Sequence, residues 1–406
     1  MKKICVIGGG AAGTFAAIFA AQKETEVILL EKNDRLGKKL RITGKGRCNI
    51  TNAADTQEII AAFGKNGRFL HSAVTAFTNK DVMAFFENRH VPLKIERGGR
   101  VFPQSDRAQD VVDVLKDELT KKCVKIIYNA DVVSVRKEGE FIINYNNGTL
   151  YADAVIIATG GATYPATGST GDGYRFAKEF GHTIVPLRPS LVPIETVESW
   201  PSELMGLTLK NVELTAYVEN KKTAQEFGEM LFTHFGISGP IVLSISKELT
   251  QFENKKIMLY INLKPALSEE KLNTRILRDF EKYQNKVLKN ALDDLLPQAL
   301  IPIVIELSGI SQDKKVHSIT REERMKLVQI LQALPLNVKK FRPLSEAIVT
   351  AGGVKLAEIN PKTMESKIVN GLYFAGEVLD IDAVTGGYNL QAAFSTGYLA
   401  GINASS

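Results

Sequence analysis

The sequence predicts an α/β chain: a Rossmann-like dinucleotide-binding domain interrupted by an inserted domain, first β-rich and then helical. Three observations carry this. The apolar run Ile4-Cys5-Val6-Ile7 breaks into Gly8-Gly9-Gly10 and then, from Gly13, into a helical pattern. Near the other end, Leu372-Tyr373-Phe374-Ala375-Gly376-Glu377 repeats the strand-into-glycine signature. Between them, composition changes at Pro186-Leu187-Arg188-Pro189 and changes back after Arg342-Pro343. The 406 residues also exceed what one ordinary core accommodates. Residues 1–190 and 343–406 are therefore expected to share one domain, and 191–342 to form another, β-rich over 191–264 and helical over 265–342.

Each element follows from its local pattern. Ile4 to Ile7 is apolar throughout, as suits a parallel strand covered on both faces. The alanine-rich stretch from Gly13, with Phe15, Ile18 and Phe19, favours a helix to about Gln22. Glu26-Val27-Ile28-Leu29-Leu30-Glu31 is a second buried strand, completing a βαβ unit. A basic loop runs from Arg35 to Arg47. Helical patterns occupy about 69–88 and 107–122, and strands about 124–136, 140–146 and 149–158. Asn146-Asn147-Gly148 is a hairpin turn, and Ala154-Val155-Ile156-Ile157-Ala158 runs into Thr159-Gly160-Gly161. In the insertion, Val212–Val218 and Ile257–Leu263 read as strands. Ser268-Glu269-Glu270 and Thr320-Arg321-Glu322-Glu323 read as helix starts, the second with a capping box.

Composition narrows the function classes. With 44% hydrophobic and 24% charged residues, the chain is of the soluble globular kind. Its net charge of +6 comes from Lys/Arg interleaved with Asp/Glu, which argues against nucleic acid as a partner. Cys5, Cys48 and Cys123 lie far apart, so no zinc knuckle, disulfide framework or redox dithiol is indicated, and a reducing cytoplasm suits them. His71, His90, His182 and His317 show no metal-ligand spacing and read as structural or surface residues. Lys2-Lys3 ahead of an uncharged stretch to Gln22 resembles a secretory leader, but its glycines stand at nucleotide-binding spacing. No later run is long and apolar enough to span a membrane.

Gly8-x-Gly10-x-x-Gly13 follows a strand, opens a helix and is answered about 20 residues on by Glu31, as a dinucleotide fingerprint requires. Gly8 permits the tight turn, Gly10 lets backbone approach a diphosphate, and Gly13 lets helix and strand pack closely. The helix N-terminus then aims free N–H groups and partial positive charge at the phosphates. Glu31 suits a ribose diol and repels a 2′-phosphate. One fingerprint supplies only the AMP half of a cofactor. Gly376, Glu377 and Asp380 after a strand, and the loop Gly386-Gly387 opening a helix at Asn389-Leu390, supply what a flavin ring needs. These features argue for FAD.

The residues then show a family likeness. Thr43-Gly44-Lys45-Gly46-Arg47-Cys48-Asn49-Ile50-Thr51-Asn52, Gly99-Arg100-Val101-Phe102-Pro103, Ala158-Thr159-Gly160-Gly161, Leu231 to Pro240 and Thr350-Ala351-Gly352-Gly353-Val354 occur in this order. With the flanking fingerprints, the chain resembles the bacterial YhiN-like (BaiN-like) flavoproteins, often labelled NAD(FAD)-utilising dehydrogenases. Lys45 departs from the glycine of many members. The resemblance implies a glutathione-reductase-like FAD domain with a β-rich and helical insert. It places Gly8, Gly10, Ala12, Glu31 and Lys32 at the adenosine diphosphate, and Lys38, Lys39, Thr43, Gly44 and Asn49 along the diphosphate and flavin. Val133 would bring backbone to the adenine, and Thr159 and Gly160 would pack near the cofactor. Glu377, Asp380, Asn389 and Leu390 would complete the ribityl and ring contacts.

Flavin N5 carries hydride chemistry itself, so the protein must position a substrate and manage a proton. His234, in a Gly/Pro-rich loop, is a candidate proton donor. Arg100 is a candidate for binding a carboxylate or oxyanion. Cys48 reads as a packed cysteine rather than a reactive thiolate. The leading reading is an FAD-dependent oxidoreductase that moves hydride to or from a small organic substrate. C=C reduction or dehydrogenation is the expected chemistry, with NAD(P)H as a candidate electron donor. The alternatives are an FAD-dependent RNA-modifying enzyme, since the chain is basic, and a non-catalytic redox sensor.

Overall fold

Nothing in Ile4-Cys5-Val6-Ile7 requires water, and in the computed structural model, which describes all 406 residues, it lies fully buried. The strand Lys2–Ile7 (β1) is central in a five-stranded parallel sheet. Thr25–Leu30 (β2) pairs on one side, followed by Lys125–Ile127. On the other side comes Ala154–Ile157, and Leu372–Phe374 forms the edge beyond it. The helix Ala11–Ala20 (α1) connects β1 to β2 and is buried on nearly every face. Such burial explains its composition: alanine lets neighbouring backbone approach on all sides.

The chain divides into two compact units, Met1–Ser190 with Leu344–Ser406, and Leu191–Pro343. The first holds the parallel sheet and three smaller sheets. One is the meander Val132–Glu138, Glu140–Tyr145 and Gly148–Ala152, with the expected turn at Asn146-Asn147. A second joins Thr51–Asn52, Arg100–Pro103 and Leu93–Glu96, and a third pairs Ile184–Ser190 with Val349–Val354. The last helix, Tyr388–Ser405, crosses α1 at close range. A Cβ on Gly397 would lie 2.3 Å from the Ala12 carbonyl, and one on Gly401 2.5 Å from that of Ala16.

The second unit is a closed six-stranded barrel with helices Glu269–Lys282, Ile301–Ser308 and Arg321–Gln332. Ser268 caps the first of these, and Thr320 with Glu323 forms the expected capping box on the last. Helical structure was expected through 342, yet Leu334–Phe341 is a strand that closes the barrel between Ile194–Thr196 and Ile257–Asn262. Its residues alternate in and out over Leu334, Pro335, Leu336 and Asn337, a period of two, and Pro335 is incompatible with a helix interior.

Candidate functional site

The glycine turn is set by contacts the backbone cannot avoid. A Cβ on Gly13 would sit 1.8 Å from the Gly8 carbonyl oxygen, and one on Gly8 2.5 Å from that of Ala158. These two glycines are demanded by the fold. Gly10 differs: a Cβ there would meet nothing within 4 Å, and its φ of −85° suits any residue. The space in front of Gly10, at the N-terminus of α1, is therefore open. The amides of this first turn have no side-chain cap. Glu31, at the end of β2, is buried. Its carboxylate accepts from the Gly9 N–H at 2.8 Å, from the Asn33 N–H at 2.8 Å and from Asn33 Nδ2 at 2.6 Å.

The C-terminal segment meets this turn directly. Gly376, with φ +77°, stands against Ala12: a Cβ on it would lie 2.7 Å from the Ala12 methyl. Next to it, Glu377 accepts from Lys39 Nζ at 2.8 Å and from the Thr350 N–H at 2.8 Å. Lys39 also donates to Thr163 Oγ1 at 2.7 Å. Four chain segments are thus clasped through one carboxylate and one ammonium. Thr159, after the strand Ala154–Ile157, packs on Gly8, and its Oγ1 is buried without a hydrogen-bond partner. Gly160 follows with φ +76°.

A third wall comes from the run Thr43 to Asn52. Gly44, Lys45, Gly46 and Cys48 all have positive φ, 57°, 60°, 85° and 59°. A glycine would suit the backbone at 45, a conformation which Lys45 adopts at a cost. Thr43 Oγ1 donates to the Leu40 carbonyl at 2.7 Å, and the edge of Phe102 backs Gly44. Arg47 stacks on Phe102 at 3.9 Å and forks onto Glu96, which holds that carboxylate below its ordinary range. Burial pushes the Cys48 thiol up to about 12, so it is a packed thiol. Asn49 Oδ1 is buried without a donor, 3.0 Å from where a Cβ of Gly387 would stand. Gly387 is the N-cap of the last helix and carries no capping side chain of its own.

Other expected residues are engaged elsewhere in the chain. Lys32 pairs with Asp172 at 2.7 Å and Asp131 at 3.6 Å, and Lys38 with Asp34 at 3.2 Å. Val133 is exposed at a bulge, and its carbonyl accepts from Arg175 Nη1 at 2.7 Å. Asn389 uses its amide to close the turn at Ala383, and Leu390 packs against the core. Burial and neighbouring Asp382 raise the Asp380 carboxyl above its ordinary value. Arg100 is exposed, donates through Nε to the Arg97 carbonyl and sits 3.7 Å from Glu96. His234 belongs to the other unit, exposed in the turn between Lys221–Thr233 and Gly236–Ser238, edge-on to Phe235.

Several residues of the site were not singled out from the sequence. Thr163 and Thr350 join the clasp on Glu377. Asn52 Nδ2 donates to the Gly98 and Gly386 carbonyls at 2.9 Å each, tying two loops together. The Thr-Ala-Gly-Gly-Val and Thr-Asn motifs contained two of these three residues, Thr350 and Asn52, but nothing in their spacing says what they hold.

The open space before Gly10 and the unpartnered Asn49 Oδ1 are what a bound FAD would occupy and satisfy, whereas Thr159 Oγ1 is packed against Gly173. Fold and site together define an FAD-dependent oxidoreductase of the Rossmann type. The chain belongs to the HI0933-like family: the model of the HI0933-like protein Rossmann domain matches residues 2–403. The 3-dehydro-bile acid delta(4,6)-reductase of Clostridium scindens is 33% identical over 406 residues, covering 99% of this chain and 98% of that protein. The ribosomal RNA dihydrouridine synthase of Escherichia coli K12 is 33% identical over 394 residues, 97% of this chain and 95% of that protein. In fold, the chain is similar to 3-ketosteroid delta1-dehydrogenase from Sterolibacterium denitrificans, with TM-score 0.53 and 14% identity over 100% of both chains.

Proposed function

We propose that this oxidoreductase reduces a carbon–carbon double bond conjugated to a carbonyl, with NAD(P)H as electron donor. The observation that carries the reading is what the two relatives share. A 3-oxo steroid diene and a uracil ring differ in everything except a ring C=C polarised by a neighbouring C=O. Both named activities add two hydrogens to such a bond.

FAD bound in the first unit supplies hydride chemistry at N5. The residues of the chain do the rest. The uncapped first turn of α1 and the space before Gly10 receive the diphosphate. Glu31 exchanges its present donors for the ribose hydroxyls. Asn49 Oδ1 offers an acceptor to a ring N–H. The N-terminus of the last helix, uncapped at Gly387, would offer partial positive charge to a reduced flavin. In this reading, Arg100 holds the carbonyl oxygen or an anionic substituent of the substrate.

The test is anaerobic and has two halves. Flavin absorbance is followed with NADH, NADPH or dithionite, and the reduced protein is then mixed with a 3-oxo-4-ene steroid or an unmodified ribosomal RNA transcript. Reoxidation by the steroid with loss of its C=C supports a small-molecule reductase. Reoxidation by the transcript alone supports the second reading, an RNA uracil, which the E. coli relative motivates. A reduced flavin that neither acceptor oxidises would overturn the proposal.

A further inference from the structure

We propose that Gln391 is a positioning residue of the flavin site. Its one amide fixes the N-terminus of the last helix relative to the segment that carries Asn49, and so sets the electrostatics around the ring. The inference rests on the FAD site described above and adds a residue not assigned to it.

The problem Gln391 solves is geometric. The helix start at Gly387 and the acceptor Asn49 come from distant parts of the chain, and each is useful only at a fixed separation from the other. Gln391 lies one turn into the helix, and its N–H donates to the Gly387 carbonyl at 3.1 Å. Its Oε1 accepts from Thr51 Oγ1 at 2.6 Å. Its Nε2 donates to the Phe77 carbonyl at 3.1 Å and to Ser395 Oγ at 2.9 Å. Ser395 in turn donates to the same carbonyl at 2.7 Å. Gln391, Thr51 and Ser395 are all 0% exposed. The Thr51 carbonyl presses on Gly387, 2.3 Å from where a Cβ would be.

Only an amide serves here without a charge. It presents an acceptor and two donors from one rigid plane. A carboxylate would turn an oxygen toward the Phe77 carbonyl, and an apolar side chain would leave the Thr51 hydroxyl unpaired in a dry site. The same strand is held from its other side, where Asn79 Nδ2 donates to the Asn52 and Ala54 carbonyls at 2.7 and 2.9 Å. Loosening the Thr51–Gln391 bond leaves the Asn52–Gly386 bond as the remaining side-chain tie between the two segments, so the helix start gains freedom while Asn49 stays. Because a helix dipole acts within its first turn, a flavin held at Gly387 would feel that movement.

The experiment uses the full chain stripped of cofactor, with Thr51→Val, Thr51→Ser and Gln391→Met. Three quantities are read: the melting temperature of the apoprotein, the Kd for FAD by fluorescence titration, and the midpoint potential of the reconstituted flavin. Thr51→Val and Gln391→Met should weaken FAD about tenfold, ~1.4 kcal/mol, and move the potential negative, while Thr51→Ser restores both. If Gln391→Met does not fold, Thr51→Val decides. A lower melting temperature with unchanged Kd and potential would make Gln391 merely structural and overturn the proposal. A wild-type apoprotein that takes up no FAD would remove the cofactor reading itself.

Discussion

At the scale of single residues, the three fingerprint glycines have different reasons to be glycine. Gly13→Ala forces a methyl onto the Gly8 carbonyl, so it should destabilise the apoprotein by several degrees in a thermal melt. Gly10→Ala touches nothing, so its melt should match wild type while FAD affinity falls at least about tenfold. Equal FAD affinity in Gly10→Ala would mean that the space before it is not where the diphosphate goes. Lys45, in the left-handed region at φ 60°, makes a second prediction. Lys45→Gly should stabilise the chain by about 1 kcal/mol, read as a shifted denaturant midpoint. The fingerprint spacing was legible because local sterics write it. The roles of Thr163 and Gln391 were not, because each is defined by partners 124 to 340 residues away.

At the scale of elements, strand and helix character followed the apolar period only in part of the first unit: the helix expected over 69–88 breaks at the Thr78 N-cap, and the strands expected over 124–136 and 149–158 each divide between the parallel sheet and the meander. The βαβ start, the meander and the capped helices stand where pattern and capping residues put them. What the pattern could not show is which strand closes a barrel. Leu334–Phe341 follows a long helix, and its short alternation is evident only once its neighbours are known. Close crossing of α1 by the last helix is likewise a property of the pair. Small residues stand at Ala12 and Ala16 on one helix and at Gly397 and Gly401 on the other. Gly401→Ala should push the two apart, costing about 1–3 kcal/mol of unfolding free energy. A neutral effect would show that the crossing relaxes without loss.

At the scale of the molecule, a buried polar knot links the segment after Asp172–Glu179 to the region before the last strand. His182 Nε2 stands 2.8 Å from Ser366 Oγ, and Nδ1 3.2 Å from Glu358. Burial favours the neutral imidazole and lowers the His182 pKa despite Glu358. The unfolded chain takes up this proton near the ordinary value of 6.5 and the folded chain does not. The unfolded state then binds more protons, so stability falls as pH drops below about 6.5 and stops falling once the folded imidazole is protonated. Glu358, held below its ordinary 4.5, adds acid lability lower still. His182→Gln should flatten the melting-temperature profile below pH 6.5; an unchanged slope would assign the acid loss elsewhere.

The clasp of Lys39 on Glu377 spans 338 residues of sequence, and it has a temporal consequence. During synthesis at about 5–20 residues per second, the first half of the nucleotide pocket waits about 20–70 s for the second. No nascent chain can hold the whole ligand until nearly all of it has left the ribosome. Loading is therefore a late event, and a yellow colour certifies a finished polypeptide rather than a growing one.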